Sequence, residues 1–353
     1  MENYNLQVKF IGYWDEVVKL WFNNPQEDAI DARRPIPEKK KTKKKEEEED
    51  IKECYYKEVF DVNMEKGQMA FFNNEKLKKL LCPAHLPEPY WGDPDKNKCS
   101  IVIVDYNPAG GTDMNPHSYK GTIDGKHFPS NTIINYVNKH GYSEFATKFP
   151  IWKKDLPKDM EWLCSYGGRK WWLKKKEWIQ HLVGEKIDVE EVPPFAIELC
   201  GWHSPNWPDN TDAFNDDDDL EETIKDCFAL PLLKAIDNSQ SHLAICIGAQ
   251  FKPSILGKFL PGLTNITESV YNDLKGEGIS YPDKPGKKEK WQDGDESISV
   301  TVKKDKKETT RYYRVYNVEG RIILNTFAPG SNHHPAKEYW VFEKKLLKAI
   351  ENE

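Results

Sequence analysis

The sequence is 353 residues long, which is enough for one large domain with insertions or for two ordinary domains. Hydrophobic residues make up 38% of the chain and charged residues 31%, so part of it is expected to be exposed, although an aromatic content of 12% argues against wholesale disorder. A formal net charge of −7 excludes a global attraction to nucleic acid, and any such contact would need a local basic patch.

The first 50 residues divide into two segments. Residues 1–32 are predicted to form a helical extension, because Trp14, Val17, Val18 and Trp21 recur at nearly helical spacing. Residues 33–50 form a charged low-complexity linker whose basic run is followed directly by an acidic run. The basic run alone is typical of a nucleic-acid or nuclear-localisation patch, but the adjacent acidic residues would cancel much of its field.

Neither a secretory leader nor a membrane span is indicated. The N-terminus has no basic start followed by an apolar stretch, and no window approaches 18 consecutive apolar residues. The seven cysteines are odd in number and form no CxxC pair, which argues against a disulfide framework or a zinc ribbon. We therefore predict a cytoplasmic protein with no membrane partner.

Residues 51–353 are predicted to form one α/β domain. Four continuous apolar runs have the character of strands buried on both faces, and a helix closes the chain after the last of them; the runs are 100–105, 195–200, 243–247 and 321–327. The pattern favours a three-layer α/β/α fold with a mainly parallel central sheet of about four strands, plus insertions at about 151–182 and 275–312. In such sheets the ligand crevice lies beyond the carboxyl ends of the strands, so the loops after these runs should converge.

The loop after the first strand contains an amide and a glycine pair. Proline at 108 ends the strand, and the glycines at 110 and 111 permit close approach to a ligand. The amide of Asn107 could hold a water molecule or the edge of a base. The five residues 107–111 are equally consistent with a simple tight turn between a strand and a helix. The patterns GxGxxG and GxxxxGK[ST], which bind phosphate, are absent.

The loop after the fourth strand concentrates hydrogen-bonding side chains, namely Ser331, Asn332, His333 and His334, before Pro335. Histidine stabilises developing negative charge or transfers a proton near neutral pH. Metal binding, with His203 as a third ligand, is a competing interpretation, but no HExxH motif and no suitably spaced carboxylate supports it. We therefore predict no metal and no cofactor.

These motifs, in this order along residues ~86–353, resemble the uracil-DNA glycosylase superfamily. The resemblance implies that Asn107 positions the hydrolytic water and that His334 with Pro335 contacts the flipped nucleotide. It also implies an aromatic side chain that stacks on the base, for which Tyr106, Phe128 and Trp202 are the candidates. The predicted substrate-binding set is completed by Asp105, Pro108, Gly110, His203, Ser331, Asn332 and His333.

Three departures distinguish the chain from that family. Asn107 resembles the mismatch-specific branch, in which an amide orients water and cannot act as a base. Ala336 and Lys337 stand where the family has serine and proline. The cysteines lack the arrangement required for the iron–sulfur cluster of some branches.

The sequence thus predicts a glycosylase-like hydrolase that cleaves the N-glycosidic bond of a damaged, mispaired or modified base in DNA, with Asn107 and His334 as catalytic residues. Flipping such a base costs least when it is mispaired or damaged, which would supply selectivity. DNA or another nucleic acid is then the partner, and the predicted backbone contacts are Lys170, Lys174, Lys175 and Lys176. The same Trp/Lys segment is also typical of an amphipathic helix packed by Trp171, Trp172 and Trp178.

Two other functions fit the same residues. One is a catalytically weak or inactive module that binds nucleic acid, a nucleotide or a protein partner. The other is a small-molecule hydrolase with Asp105 or Glu198 as its base, since a carboxylate that ends a buried strand can have a raised pKa. Asp105 could equally cap the following helix.

Overall fold

The computed structural model describes residues 5–23, 71, 74, 77, 81, 86–105, 133–165, 167–202, 217–274, 279–283, 296–304, 307–328 and 335–351. The charged linker 33–50 lies outside them, as does much of the loop region after the first predicted strand.

The N-terminal segment is helical and belongs to the hydrophobic core. A π-helical turn over Gln7–Ile11 leads into α1, Gly12–Asn23. The fully buried ring of Phe10 packs on Tyr90 and Phe195, with ring centroids 5.2 Å and 6.4 Å apart. The predicted amphipathic helix is therefore present, and its partner is the edge of the sheet.

The described residues form one nine-stranded mixed sheet. Its strands are β1 Tyr90–Trp91, β2 Val102–Asp105, β3 Phe195–Glu198, β4 Leu243–Ile247, β5 Leu263–Asn265, β6 Ile279–Asp283, β7 Ser297–Lys304, β8 Lys307–Val318 and β9 Arg321–Phe327. The strand order is β1-β3-β2-β4-β9-β8-β7-β6, and β5 pairs with β8 beside this path.

The four predicted strands are neighbours in the sheet. β3, β2, β4 and β9 lie side by side, and each adjacent pair is parallel. Their residues are almost entirely buried, as expected for a parallel sheet covered on both faces. The α/β class is thus confirmed, but the expected mainly parallel sheet of about four strands is not, because the described sheet has nine strands and only three of its eight strand pairs are parallel.

The remaining strands extend the sheet with antiparallel pairs. β9 pairs with β8, β8 with β7 and β7 with β6, while β1 adds an antiparallel edge next to β3. The predicted insertion at 275–312 therefore contains strands of the main sheet. The polar residues that suggested an insertion belong to antiparallel strands such as β7, in which Thr301 and Lys303 are exposed while Val300 is buried and Val302 is half-buried.

Eight further α-helices occur in the described residues. They are α2 Ile133–His140, α3 Tyr142–Ala146, α4 Gly167–Val183, α5 Asp218–Ile224, α6 Leu230–Asn238, α7 Pro253–Phe259, α8 Thr267–Leu274 and α9 Trp340–Ile350. α6 packs against β2, β4 and β9, α8 packs against β6, β7 and β8, and α9 contacts both α4 and α8. None of the helices in the described ranges is long and apolar enough to cross a membrane.

The predicted insertion 151–182 contains α4, which has one buried face. Trp172, Trp178, Ile179 and Leu182 are buried at helical spacing, so this segment is an amphipathic helix that packs on the rest of the domain. The helix ends with Gly184 in the left-handed region at φ +77°, where glycine carries no steric penalty.

Candidate functional site

The loops predicted to carry the chemistry all follow strands that end at one edge of the sheet. Val104 pairs with Cys246, and Cys246 pairs with Asn325 on the next strand. Asp105 pairs with Glu198 on the other side. Because all four strands are parallel, their carboxyl ends lie at one edge, which is where ligands bind in open α/β sheets.

Most of the predicted site residues lie outside the described residues, so their positions stay predictions. This holds for both predicted catalytic residues, Asn107 and His334, and for the following members of the substrate-binding set: Tyr106, Pro108, Gly110, Phe128, His203, Ser331, Asn332 and His333. The described part of the site consists of the strand ends and the helices that cover them.

Asp105 is the last residue of β2 and forms a buried ion pair with α4. Its Oδ2 lies 3.4 Å from the Nζ of Lys175, whose side chain is completely buried, and the Asp105 side chain is 13% exposed. The Lys175 ammonium also lies over the ring of Trp171, which stabilises the cation through the negative face of the ring. A strand end and a helix thus bring one carboxylate and one ammonium together at the crevice edge.

Burial shifts the protonation equilibria of this pair. It lowers the pKa of Lys175 to about 8, although the charge of Asp105 opposes the shift. Burial also raises the pKa of Asp105, opposed by the charge of Lys175 and by their hydrogen bond. A carboxylate with a raised pKa is a better proton acceptor at neutral pH than an ordinary aspartate, provided that it is ionised.

Two further carboxyl groups lie beside the pair. Glu198 ends β3 and is the register partner of Asp105, and Glu88, on the segment before β1, is 8% exposed. The backbone holds both close to the strand ends: the N–H of Glu198 donates to the carbonyl of Pro89, and the N–H of Glu88 donates to the carbonyl of Gly201. The carboxyl edge therefore carries three acidic side chains around one lysine.

A second polar contact fixes α4 to the same face of the sheet. The indole N–H of Trp178 donates to Glu343 Oε2 on α9 at 3.0 Å, and the hydroxyl of Tyr313 on β8 donates to Glu343 Oε1 at 3.2 Å. Glu343 is completely buried, and this burial raises its pKa to about 7 despite both hydrogen bonds and the nearby charge of Arg311. Glu343 on α9 therefore binds α4 through Trp178, which lies three residues after Lys175.

The segment that follows the late loop also reaches α4. Pro335 is buried and its carbonyl accepts a hydrogen bond from the indole of Trp340 at 3.3 Å. Lys337 forms an ion pair with Glu177, two residues after Lys175 on α4. The segment that follows the His334 loop and the strand that precedes the Asn107 loop therefore both contact α4 within one helical turn, Lys337 at its exposed face and Asp105 at its buried face.

Three of the predicted contact residues are less available than the sequence indicated. Lys175 was predicted to contact phosphate but is buried against Asp105, since it lies on the apolar face of α4. Lys176 is partly buried and paired with Glu190 at 2.5 Å. Trp202, a candidate for stacking on a base, is completely buried. Lys170 and Lys174 are exposed on α4, as a backbone contact requires.

The sequence contained a signal for the role of Lys175. Trp172, Lys175, Ile179 and Leu182 follow one another at spacings of three and four, so helical periodicity places the lysine on the buried face. A lysine at such a position requires a carboxylate partner, because an isolated charge in the interior is costly. Glu343 has the same signal, since it stands at helical spacing from Leu346 and Ile350 on the apolar stripe of α9.

No group of three or more histidine, cysteine, aspartate or glutamate side chains that could hold a metal ion occurs in the described ranges. The cysteines described there, Cys99, Cys164, Cys200, Cys227 and Cys246, are all free. No protein-family model, no curated protein and no solved structure matches the chain.

Proposed function

We propose that the chain is a hydrolase that cleaves the N-glycosidic bond of a damaged, mispaired or modified base in DNA. The observation that carries the proposal is the buried Asp105–Lys175 ion pair at the carboxyl edge of the parallel strands. A charged pair is costly to bury, and strongly shifted pKa values in a crevice are typical of functional sites.

Each proposed residue supplies one part of the reaction. Asn107 follows Asp105 by two residues and holds the attacking water through its amide. Asp105 accepts a proton from this water as its oxygen bonds to C1′ of the sugar. The C1′–N bond breaks and its electron pair goes to the base, where His334 stabilises the negative charge by donating a hydrogen bond.

The charge balance of the site suits an oxocarbenium-like transition state. A buried carboxylate stabilises positive charge on the sugar more strongly than an exposed one, because little water screens it. Lys175 keeps Asp105 ionised before the reaction, since its positive charge opposes the effect of burial. Lys175 is therefore a positioning and charge-tuning residue in this proposal.

The proposal is tested with oligonucleotides that carry uracil, a mismatch or another modified base. The protein should release the base and leave an alkali-cleavable abasic site. Asp105→Asn, Asn107→Ala and His334→Ala should each lower kcat by roughly 10²-fold, the order of effect found when one group that stabilises a transition state is removed. Asp155→Asn, which changes an exposed carboxylate elsewhere on the chain, is the matched control and should leave kcat unchanged.

The same oligonucleotides test the DNA contact. Replacing both Lys170 and Lys174 by alanine should weaken binding and reduce the salt dependence by about two counterions. Lys96→Ala with Lys98→Ala is the matched control, because these exposed lysines precede β2 at the opposite edge of the sheet. If a broad panel of lesions yields no abasic sites, the hydrolase proposal is wrong, and persistent salt-sensitive binding would then favour a binding module.

A further inference from the structure

Glu198 is a second functional group that this edge of the sheet positions. It ends β3 directly beside Asp105 on β2, and register partners on neighbouring parallel strands, which are roughly 4.8 Å apart, project to the same face. Its Oε2 is cut off from solvent and makes no hydrogen bond within the described part of the chain. The residue as a whole stays partly exposed, so the group lies at the edge of the site and not in the core.

The charges around Glu198 oppose its ionisation. Asp105 and Glu88 are both acidic, and the one described ammonium nearby, that of Lys175, already pairs with Asp105. Tyr142 on α3 and Cys200 also face the group, and neither carries a charge that would compensate a carboxylate, because burial raises the pKa of both. Burial first, and then the charges of Asp105 and Glu88, hold the pKa of Glu198 well above its usual range.

We infer that Glu198 is a base-recognition residue that acts as a neutral carboxyl group, with its hydroxyl as donor and its carbonyl as acceptor for one edge of the nucleobase. This inference rests on the proposed function of the same site. The Oε2 atom of Glu198 has no hydrogen-bond partner among the described residues, and a base that enters the site would supply one.

The neutral state defines the ligand class. A protonated carboxyl group pairs with an edge that has one donor and one acceptor, such as the N–H and C=O of uracil or hypoxanthine. An ionised carboxylate only accepts hydrogen bonds and would meet the C=O of that edge unfavourably. Glutamine has the same donor and acceptor as the neutral acid, so it can replace Glu198, whereas leucine of similar size cannot.

The first experiment measures the protonation state independently of any activity. An infrared difference spectrum between the wild-type protein and Glu198→Gln at pH 7 should contain the carbonyl band of a protonated carboxyl group. The melting temperature of Glu198→Gln relative to wild type should rise as pH increases from about 4.5. The reason is that a carboxyl group with a raised pKa retains its proton in the folded state while the unfolded state releases it, so wild-type stability falls over that range.

The second experiment measures binding of free uracil and free hypoxanthine by titration calorimetry. At pH 7, Glu198→Gln should bind within about threefold of wild type, and Glu198→Leu should bind about tenfold or more weakly, the loss expected when one hydrogen-bonded pair is removed. As pH rises above 7, wild-type binding should decline relative to binding by the glutamine variant, because only the wild-type protein loses the carboxyl proton, whereas ionisation of the base itself weakens binding to both proteins equally.

The outcomes separate this inference from the proposed function. The role of the neutral acid would be overturned if the carbonyl band of the protonated carboxyl group were absent at pH 7. It would also be overturned if the glutamine variant bound the bases as weakly as the leucine variant. Failure of both free bases to bind wild-type protein would overturn base recognition. If the bases bind with the expected pattern but no abasic site forms in DNA, the hydrolase proposal fails while the assignment of Glu198 stands.

Discussion

At the scale of single residues, the candidate site depends on one lysine that neutralises one of several acids. Lys175 is completely buried, and its contacts in the described residues are the carboxylate of Asp105 and the rings of Trp171 and Trp172. Removing one partner of a buried ion pair leaves the other charge buried and unpaired. The resulting loss of folding free energy far exceeds the net contribution of the intact pair. The burial of an ionised Asp105 therefore depends on Lys175.

Lys175→Met should consequently destabilise the protein by about 3–5 kcal/mol at pH 7. The deficit should shrink as the pH falls toward 5, because the pKa of the stranded Asp105 rises further and the group becomes neutral. The double variant Lys175→Met with Asp105→Asn should recover much of the loss, and denaturant unfolding measures all of these values. Lys174→Met is the matched control on the exposed face of the same helix and should change stability by less than about 0.5 kcal/mol. An equal effect of both single changes would show that the ion pair contributes nothing specific.

At the scale of elements, α4 connects the crevice to the closing helix. Lys175 contacts the end of β2, and Trp178, three residues later, contacts Glu343 on α9, which also binds Tyr313 on β8. Register places Thr326 opposite Tyr313 and Glu198 opposite Asp105, and the hydroxyl of Thr326 accepts a hydrogen bond from Arg311. The face of the sheet under α4 and α9 is therefore polar at its carboxyl end, and its polar groups are mostly satisfied by these two helices.

Glu343 should make the stability of this contact depend on pH. Its pKa is raised from 4.5 to about 7, so the folded state holds a proton that the unfolded state releases between these values. Wild-type stability should fall by about 3 kcal/mol as pH rises from 4.5 to 7 and then level off. Glu343→Gln should lack this decline, because its carbonyl still accepts from Trp178 and its amide can donate to Tyr313.

Urea unfolding of both proteins at pH 4.5, 6 and 8 measures the difference. Glu351→Gln, at the exposed end of the same helix, is the control and should follow wild type at every pH. A constant difference between wild type and Glu343→Gln across this range would mean that folding does not raise the pKa of Glu343.

At the scale of the whole molecule, the parallel centre of the sheet was predictable and its periphery was not. Continuous apolar runs identified β2, β3, β4 and β9, because strands buried on both faces have no polar alternation. The polar residues of β7 and β8 resembled an insertion, since long-range pairing with β9 gives no local signal apart from alternation.

The site was predictable only in part, for a similar reason. Asp105 and Glu198 could be named from the ends of the apolar runs, but their side-by-side register is a property of the folded sheet. The buried position of Lys175 follows from helical periodicity, but the Trp/Lys composition of the segment alone does not distinguish the two faces of α4. Trp202 was expected to be available for stacking, yet it is buried next to Gly201, where a Cβ atom would come within 2.8 Å of Pro89 and Trp14.

The N-terminal helix and the charged linker should contribute very differently to the stability of the whole molecule. Phe10 is completely buried between Tyr90 and Phe195, so Phe10→Ala should cost about 3–5 kcal/mol through lost burial and the cavity left behind. Val8→Ala, on the same turn but 69% exposed, is its matched control and should change the free energy of unfolding very little.

Deleting residues 38–50, which lie outside the described residues and contain no apolar residue, should leave the melting temperature almost unchanged. A segment without apolar side chains buries too little surface to offset the entropy lost when it becomes ordered. Scanning calorimetry of the three variants measures these effects. A large fall in melting temperature on deletion would show that the charged linker packs on the domain. An unchanged melting temperature for Phe10→Ala would show that the N-terminal helix does not contribute to the core.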